Sequence, residues 1–199
     1  MTRIALFGGS FNPPHVAHQL VALYVLETCE VDELWFVPTY VHPFGKPLVA
    51  YDDRLAMCEL AAAALGPRAK VSRAEEALAK RPGFVASRTL ELVDMLMEEG
   101  GRSFRLVIGT DILGETSKWY RWDELVKRAP PIVIGRTGHP LPPPSATPEA
   151  EHEVTETGVA MPEISATRIR ELLAARDPHV AALLPRGVLR YIASHGLYT

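Results

Sequence analysis

The sequence predicts an α/β fold: a doubly wound parallel sheet with helices on both faces and a helical C-terminal extension. Two observations carry this. Short apolar runs alternate with longer stretches of helical periodicity, which is the pattern of βαβ units. The chain has 199 residues, enough for one α/β domain with a sizeable core and short for two, so a single domain over 1–199 is expected.

Strands are expected at Ile4–Phe7, Glu33–Val37, Lys70–Ser72, Phe104–Ile108 and Ile132–Ile134. Helical patterns lie between them at about His15–Thr28, Tyr51–Leu65, Ser87–Glu99 and Trp122–Arg128. In the third of these, Leu90, Val93, Leu96 and Met97 form one stripe, and Gly100-Gly101 then stops the helix. Five prolines between Gly138 and Glu153 exclude regular structure, so 139–153 reads as a Pro-rich surface loop. An apolar patch at Gly158–Ile164 follows, then helices at about Ser165–Ala175 and Gly187–His195, so 165–199 forms a C-terminal helical part. The arrangement is Rossmann-like, and in such sheets ligands sit outside the carboxyl ends of the strands. The loops after Phe7, Val37 and Ile108 are therefore where chemistry is expected.

Apolar residues make up 47% and charged residues 23%, ordinary values for a soluble protein. A net charge of -3 provides no global basic field, so no nucleic-acid partner is expected. No apolar stretch approaches the roughly 20 residues that span a bilayer, so no membrane association is expected. With a strand starting near Arg3 and no leader pattern before it, the expectation is a cytoplasmic protein. Cys29 and Cys58 lie in apolar helical stretches and read as buried structural thiols.

Chemistry concentrates in three blocks. In Gly8-Gly9-Ser10-Phe11-Asn12-Pro13-Pro14-His15-Val16-Ala17-His18, two glycines end a strand and let a ligand approach the backbone. A helix begins near Pro14, and its N-terminus favours phosphate. His15 and His18, three apart, share a face of its first turn. In Ile164-Ser165-Ala166-Thr167-Arg168-Ile169-Arg170, Ser165 is suited to N-cap a second helix, while Arg168 and Arg170 offer forked donors for phosphate oxygens. In Gly109-Thr110-Asp111, a glycine and an acid follow a strand, suiting a ribose hydroxyl or a bound metal's waters. Trp119 could stack on a flat heterocycle or pack at the core edge, whereas Trp122, at a helix start, reads as core.

The string Gly8-Gly9-Ser10-Phe11-x-Pro13-x-His15-x-x-His18 resembles the signature of the nucleotidyltransferase superfamily, in particular bacterial nicotinate-nucleotide adenylyltransferases, with Ala17 where glycine is typical. The second block is similar to that family's Ile-Ser-x-Thr-x-Ile-Arg string, whose serine and final arginine contact ATP phosphates. This implies ATP contacts at Gly8, Gly9, Ser10, Phe11, His15, His18, Ser165, Thr167 and Arg170, with His15, His18 and Arg170 catalytic. Gly109, Asp111 and Trp119 resemble the family's mononucleotide pocket. The family also has a basic residue in a Pro-Pro-His-Lys string after the second strand, here rearranged to His42-Pro43-Phe44-Gly45-Lys46, so Lys46 and His42 are candidates.

The segment 83–90 departs from the family's Ser-Tyr-Thr-x-Asp-Thr-Leu string. Aligned on Thr89-Leu90, the threonine that helps to hold the pyridine carboxylate becomes Ala86 and the aspartate becomes Arg88. The resemblance implies in-line transfer of AMP from ATP, with Mg²⁺ accompanying ATP, to nicotinate or nicotinamide mononucleotide. A homo-oligomer is compatible with it. Two other readings are the same chemistry on another acceptor, such as phosphopantetheine, and a non-catalytic nucleotide sensor. A class I aminoacyl-tRNA synthetase would need a Lys-Met-Ser-Lys-Ser string, which is absent.

Overall fold

The computed structural model describes residues 1–42, 45, 47–136, 155–162 and 164–199. Apolar runs form β1 (Thr2–Gly9), β2 (Glu33–Pro38), β3 (Ala69–Val71), β4 (Arg102–Gly109), β5 (Pro131–Arg136) and β6 (Thr155–Met161). They build a six-stranded sheet of order β3-β2-β1-β4-β5-β6 in which every pairing is parallel. Around it lie α1 (Val16–Thr28), α2 (Tyr51–Ala63), α3 (Ala74–Ala79), α4 (Thr89–Glu98), α5 (Thr110–Leu113), α6 (Trp122–Arg128), α7 (Ala166–Ala174) and α8 (Arg186–His195). The predicted α/β class is the observed one.

Strand alternation decides which helix packs where. Ile4, Leu6, Phe104, Leu106 and Ile108 join Leu90, Val93 and Leu96 of α4 and Leu125 of α6 on one face. Ala5, Leu34, Phe36 and Val107 join Val25 and Leu26 of α1 and Cys58 and Ala62 of α2 on the other. A third cluster joins Met57 and Ala61 of α2 to Ile169, Leu172, Val188 and Ile192 of α7 and α8. The C-terminal helices therefore dock on the outer side of α2. Strand order reverses between β1 and β4, so a crevice opens at their carboxyl ends, where Gly8, Gly9 and Gly109 stand.

Several expectations need correction. Residues 155–161 form an edge strand, although Gly158–Ile164 reads only as an apolar patch. Polar Thr155 and Glu156 hide the strand pattern, and its register with β5 slips between Val133 and Gly135. A Cβ on Gly135 would stand 2.5 Å from the Val159 carbonyl oxygen, so only glycine lets the two strands approach there. Ala74–Ala79 adds a short helix that is not among the expected elements, although its alanines, glutamates and leucine are all strong helix formers; at six residues it is too short to show a periodic stripe. Met97 is 44% exposed and leaves the buried stripe of α4. Cys58 is buried, but Cys29 is only half-buried at the end of α1. The predicted loop 139–153 and Lys46 lie outside the described residues. No helix among the described residues is long and apolar enough to cross a membrane.

Candidate active site

The loop after β1 is built from inside outward. Phe11 takes a left-handed backbone conformation, φ 45°, and its ring turns into the core against Phe7 and Phe36. A Cβ on Gly9 would meet that ring at 3.2 Å, so Gly9 makes room for the anchor. Gly8 has open space where a side chain would be. Phe11 thus supports the turn from beneath, and any contact it makes with a nucleotide falls to its backbone.

α1 starts one step later than expected: His15 is the N-cap, and Pro14 stands outside the helix. The His15 N–H donates to His18 Nδ1 at 3.0 Å, and the two rings stack with centroids 3.7 Å apart. An accepting Nδ1 places the proton of the neutral His18 ring on Nε2, leaving that nitrogen the donor. His15 is buried and half-buried His18 also contacts the Phe11 ring. The pair is a preformed unit rather than two loose surface side chains.

The late block reaches this turn. Ser165 N-caps α7, accepting the Arg168 N–H, as its position predicts. Arg170 Nη1 donates to the Asn12 carbonyl oxygen at 2.9 Å, and its Nη2 donates to Thr167 Oγ1 at 3.1 Å. Arg168 instead points to Glu171, an exposed ion pair of little energetic weight. Residues 158 positions apart thus meet at the carboxyl end of β1.

On the β4 side, Asp111 folds back over Gly109. A Cβ on Gly109 would lie 2.3 Å from the Asp111 carboxylate, so any other residue there displaces the acid. Trp119 packs edge-on against Trp122, centroids 5.6 Å apart, and both rest on the α4-side core. Arg88 is the N-cap of α4, with Thr89 opening the helix. Its guanidinium pairs with Glu91 at 3.0 Å and lies 4.4 Å from the centre of the Tyr120 ring. Ala86 is half-buried beside it, and His42 is half-buried in the loop after β2.

Two residues that organise these loops escape a motif search. Arg54 in α2 is 1% exposed and donates to the carbonyls of Ser10, Thr39 and Val49 at 3.0, 2.8 and 3.1 Å. Burial lowers its pKa from the ordinary value, yet an arginine stays charged. Buried Glu75 in α3 lies near the Ser87 side chain and the Tyr40 backbone, and Ser87 Oγ accepts the Val41 N–H at 3.4 Å, tying the segment around Ala86 and Arg88 to the loop after β2. Burial raises its carboxyl above the usual range. An arginine in an amphipathic helix reads as solvated, so only the three-dimensional contacts expose Arg54. Among the described residues no group of three His, Cys, Asp or Glu side chains gathers to hold a metal.

A family model described as cytidylyltransferase-like matches residues 6–172. A protein of Anaeromyxobacter sp. (strain K) named "Probable nicotinate-nucleotide adenylyltransferase" is 47% identical over 98% of this chain and 96% of its own. The chain belongs to the nicotinate-nucleotide adenylyltransferase family. A Myxococcus xanthus relative of the same name is 35% identical over 98% of this chain and 94% of its own. The fold is similar to that of Plasmodium falciparum nicotinic acid mononucleotide adenylyltransferase complexed with NaAD. That match has a TM-score of 0.81 at 18% identity and covers 100% of this chain and 98% of that one. The family-model match ends within α7, before the residues that follow it on the outer side of α2.

Proposed function

We propose that this chain transfers the adenylyl group of ATP to nicotinate mononucleotide, releasing pyrophosphate. The observation that carries the reading is the meeting of His15, His18 and Arg170 around Asn12 at the sheet's switch point. In this reading the acceptor phosphate attacks the α-phosphorus in line, and no side chain acts as nucleophile. Catalysis is positioning plus stabilisation of charge on the transferring and leaving groups. His15 binds near the reacting phosphates. His18 donates to the oxygens around the α-phosphorus. Gly8, Gly9, Ser10 and the Phe11 backbone line the nucleotide, and Ser165, Thr167 and Arg170 hold the pyrophosphate. Mg²⁺ bound with ATP supplies positive charge to the phosphates. Asp111, across Gly109 at the end of β4, is the carboxylate suited to its waters or to a ribose hydroxyl. Thr89, Gly109, Trp119 and Lys46 complete the acceptor side. The whole chain, 1–199, is read as one nucleotidyltransferase domain working in the cytoplasm.

Pyrophosphate release with ATP and a panel of nicotinate mononucleotide, nicotinamide mononucleotide and phosphopantetheine tests the reading. Release with the pyridine nucleotides alone is the expected result. Release with phosphopantetheine alone would overturn the acceptor, and no release with any would overturn the activity.

Two further outcomes are expected. Arg170→Lys should raise the KM for ATP about tenfold, because a lysine cannot span Asn12, Thr167 and a phosphate with one fork. The KM for the acceptor should stay within about twofold of wild type; an unaltered ATP dependence would return Arg170 to a structural role. The preference for nicotinate over nicotinamide mononucleotide should be narrow. Ala86 offers no hydroxyl, and the charge of Arg88 is shared with Glu91, leaving backbone N–H groups near Val85–Ser87 as the main readers. Restoring one donor with Ala86→Thr should widen the ratio of kcat/KM by about tenfold. A ratio that does not move would show that the carboxylate is read elsewhere.

A further inference from the structure

Asn12 lies between the buried Phe11 anchor and the histidine pair, and it is 5% exposed. Its side-chain oxygen accepts the Tyr198 hydroxyl at 2.7 Å, across 186 residues of sequence, and the Val49 N–H at 3.4 Å. Its carbonyl takes Arg170, and the next segment is held too, since the Val16 N–H donates to the Leu183 carbonyl at 3.0 Å. That last bond satisfies one of the open donors at the start of α1. The region after α7 therefore grips the turn at its side chain and at the helix entrance.

Tyr198 is held in a conformation that its own backbone does not favour. Its φ is 62°, in the left-handed region that a non-glycine residue adopts at a cost. α8 ends at Gly196, also left-handed, with the Leu197 N–H on the Ile192 carbonyl, and this turn sends the chain back toward Asn12. Burial raises the Tyr198 phenol above its ordinary value, so the hydroxyl remains a donor. Residues in such conformations persist when surrounding contacts over-determine them, and here the contact is a residue three places from His15.

We infer that Tyr198 is a positioning residue for adenylyl transfer: through Asn12 it sets the turn that carries His15 and His18, so the ATP site is completed from the far end of the sequence. The inference rests on the proposed use of that turn for ATP. Tyr198 touches neither substrate in this account and acts only through Asn12.

The test is Tyr198→Phe, which keeps the ring and removes the hydroxyl. Binding of a non-hydrolysable ATP analogue, read by calorimetry, is expected to weaken about five- to tenfold, the range that one hydrogen bond commands. In steady state, kcat should fall and the KM for ATP rise, while the KM for the acceptor stays within about twofold. The thermal midpoint should drop by no more than a few degrees. A double-mutant cycle then locates the effect: in an Asn12→Ala background, Tyr198→Phe should add nothing. Unchanged analogue binding and kcat in the folded Tyr198→Phe protein would overturn the inference, as would effects that simply add to those of Asn12→Ala. The calorimetric comparison does not involve the acceptor. If no pyridine nucleotide were adenylylated, the proposed acceptor would fall while this comparison still decided Tyr198.

Discussion

Replacing His18 by alanine is expected to lower turnover by roughly 10²–10³-fold, the usual loss when one preorganised charge-stabilising donor is removed. ATP affinity should change far less, because the donor is most useful once charge has built up around the α-phosphorus. The structure adds a second role that the experiment must separate. His18 Nδ1 accepts the His15 N–H, so the ring also caps the start of α1, and its loss removes a cap worth about 1 kcal/mol. His18→Gln resolves the two roles. A glutamine at this third helical position can reach back to the N-cap N–H, so stability should return while turnover stays low. Near wild-type turnover in a folded His18→Ala protein would leave only the capping role.

Arg54→Met is expected to destabilise the fold by about 3–5 kcal/mol, the range for breaking a buried charged network. Methionine fills much of the volume but leaves the carbonyls of Ser10, Thr39 and Val49 without their donor. The thermal midpoint should fall on the order of 10 °C for a chain of this size. Because Ser10 belongs to the loop after β1 and Thr39 to the loop after β2, the KM values for ATP and acceptor should rise together. That joint rise separates Arg54 from Arg170, whose replacement is expected to act on ATP alone. Equilibrium urea unfolding checks the first part, and a loss below about 1 kcal/mol would show that water replaces the guanidinium.

The sheet and its site were legible wherever the signal was local. Strand β1 with its glycines, the His15–His18 spacing and the Ser165 cap each announce themselves within a dozen residues, and each stands where its type requires. Signals that depend on a distant partner were not. Strand β6 reads only as an apolar patch at its far end, because its first residues are polar and its pairing with β5 is irregular. Arg54 looks like any charged residue of a surface helix until two loops, after β1 and after β2, close over it. The Phe11 ring matches a nucleotide motif in sequence, yet its burial shows that it serves as a floor. Tyr198 has no neighbouring motif to mark it, and its partner Asn12 could not be read from a spacing of 186 residues.

The bond between Asn12 and Tyr198 also bears on how the protein comes into being. A ribosome delivers β1 to β6, the last ending at Met161, well before it delivers residue 198. The sheet can therefore assemble on the nascent chain while the turn that carries His15 and His18 still lacks its clamp. A ligand steadies only the state that binds it, so ATP in the surrounding fluid gives little help to the growing chain.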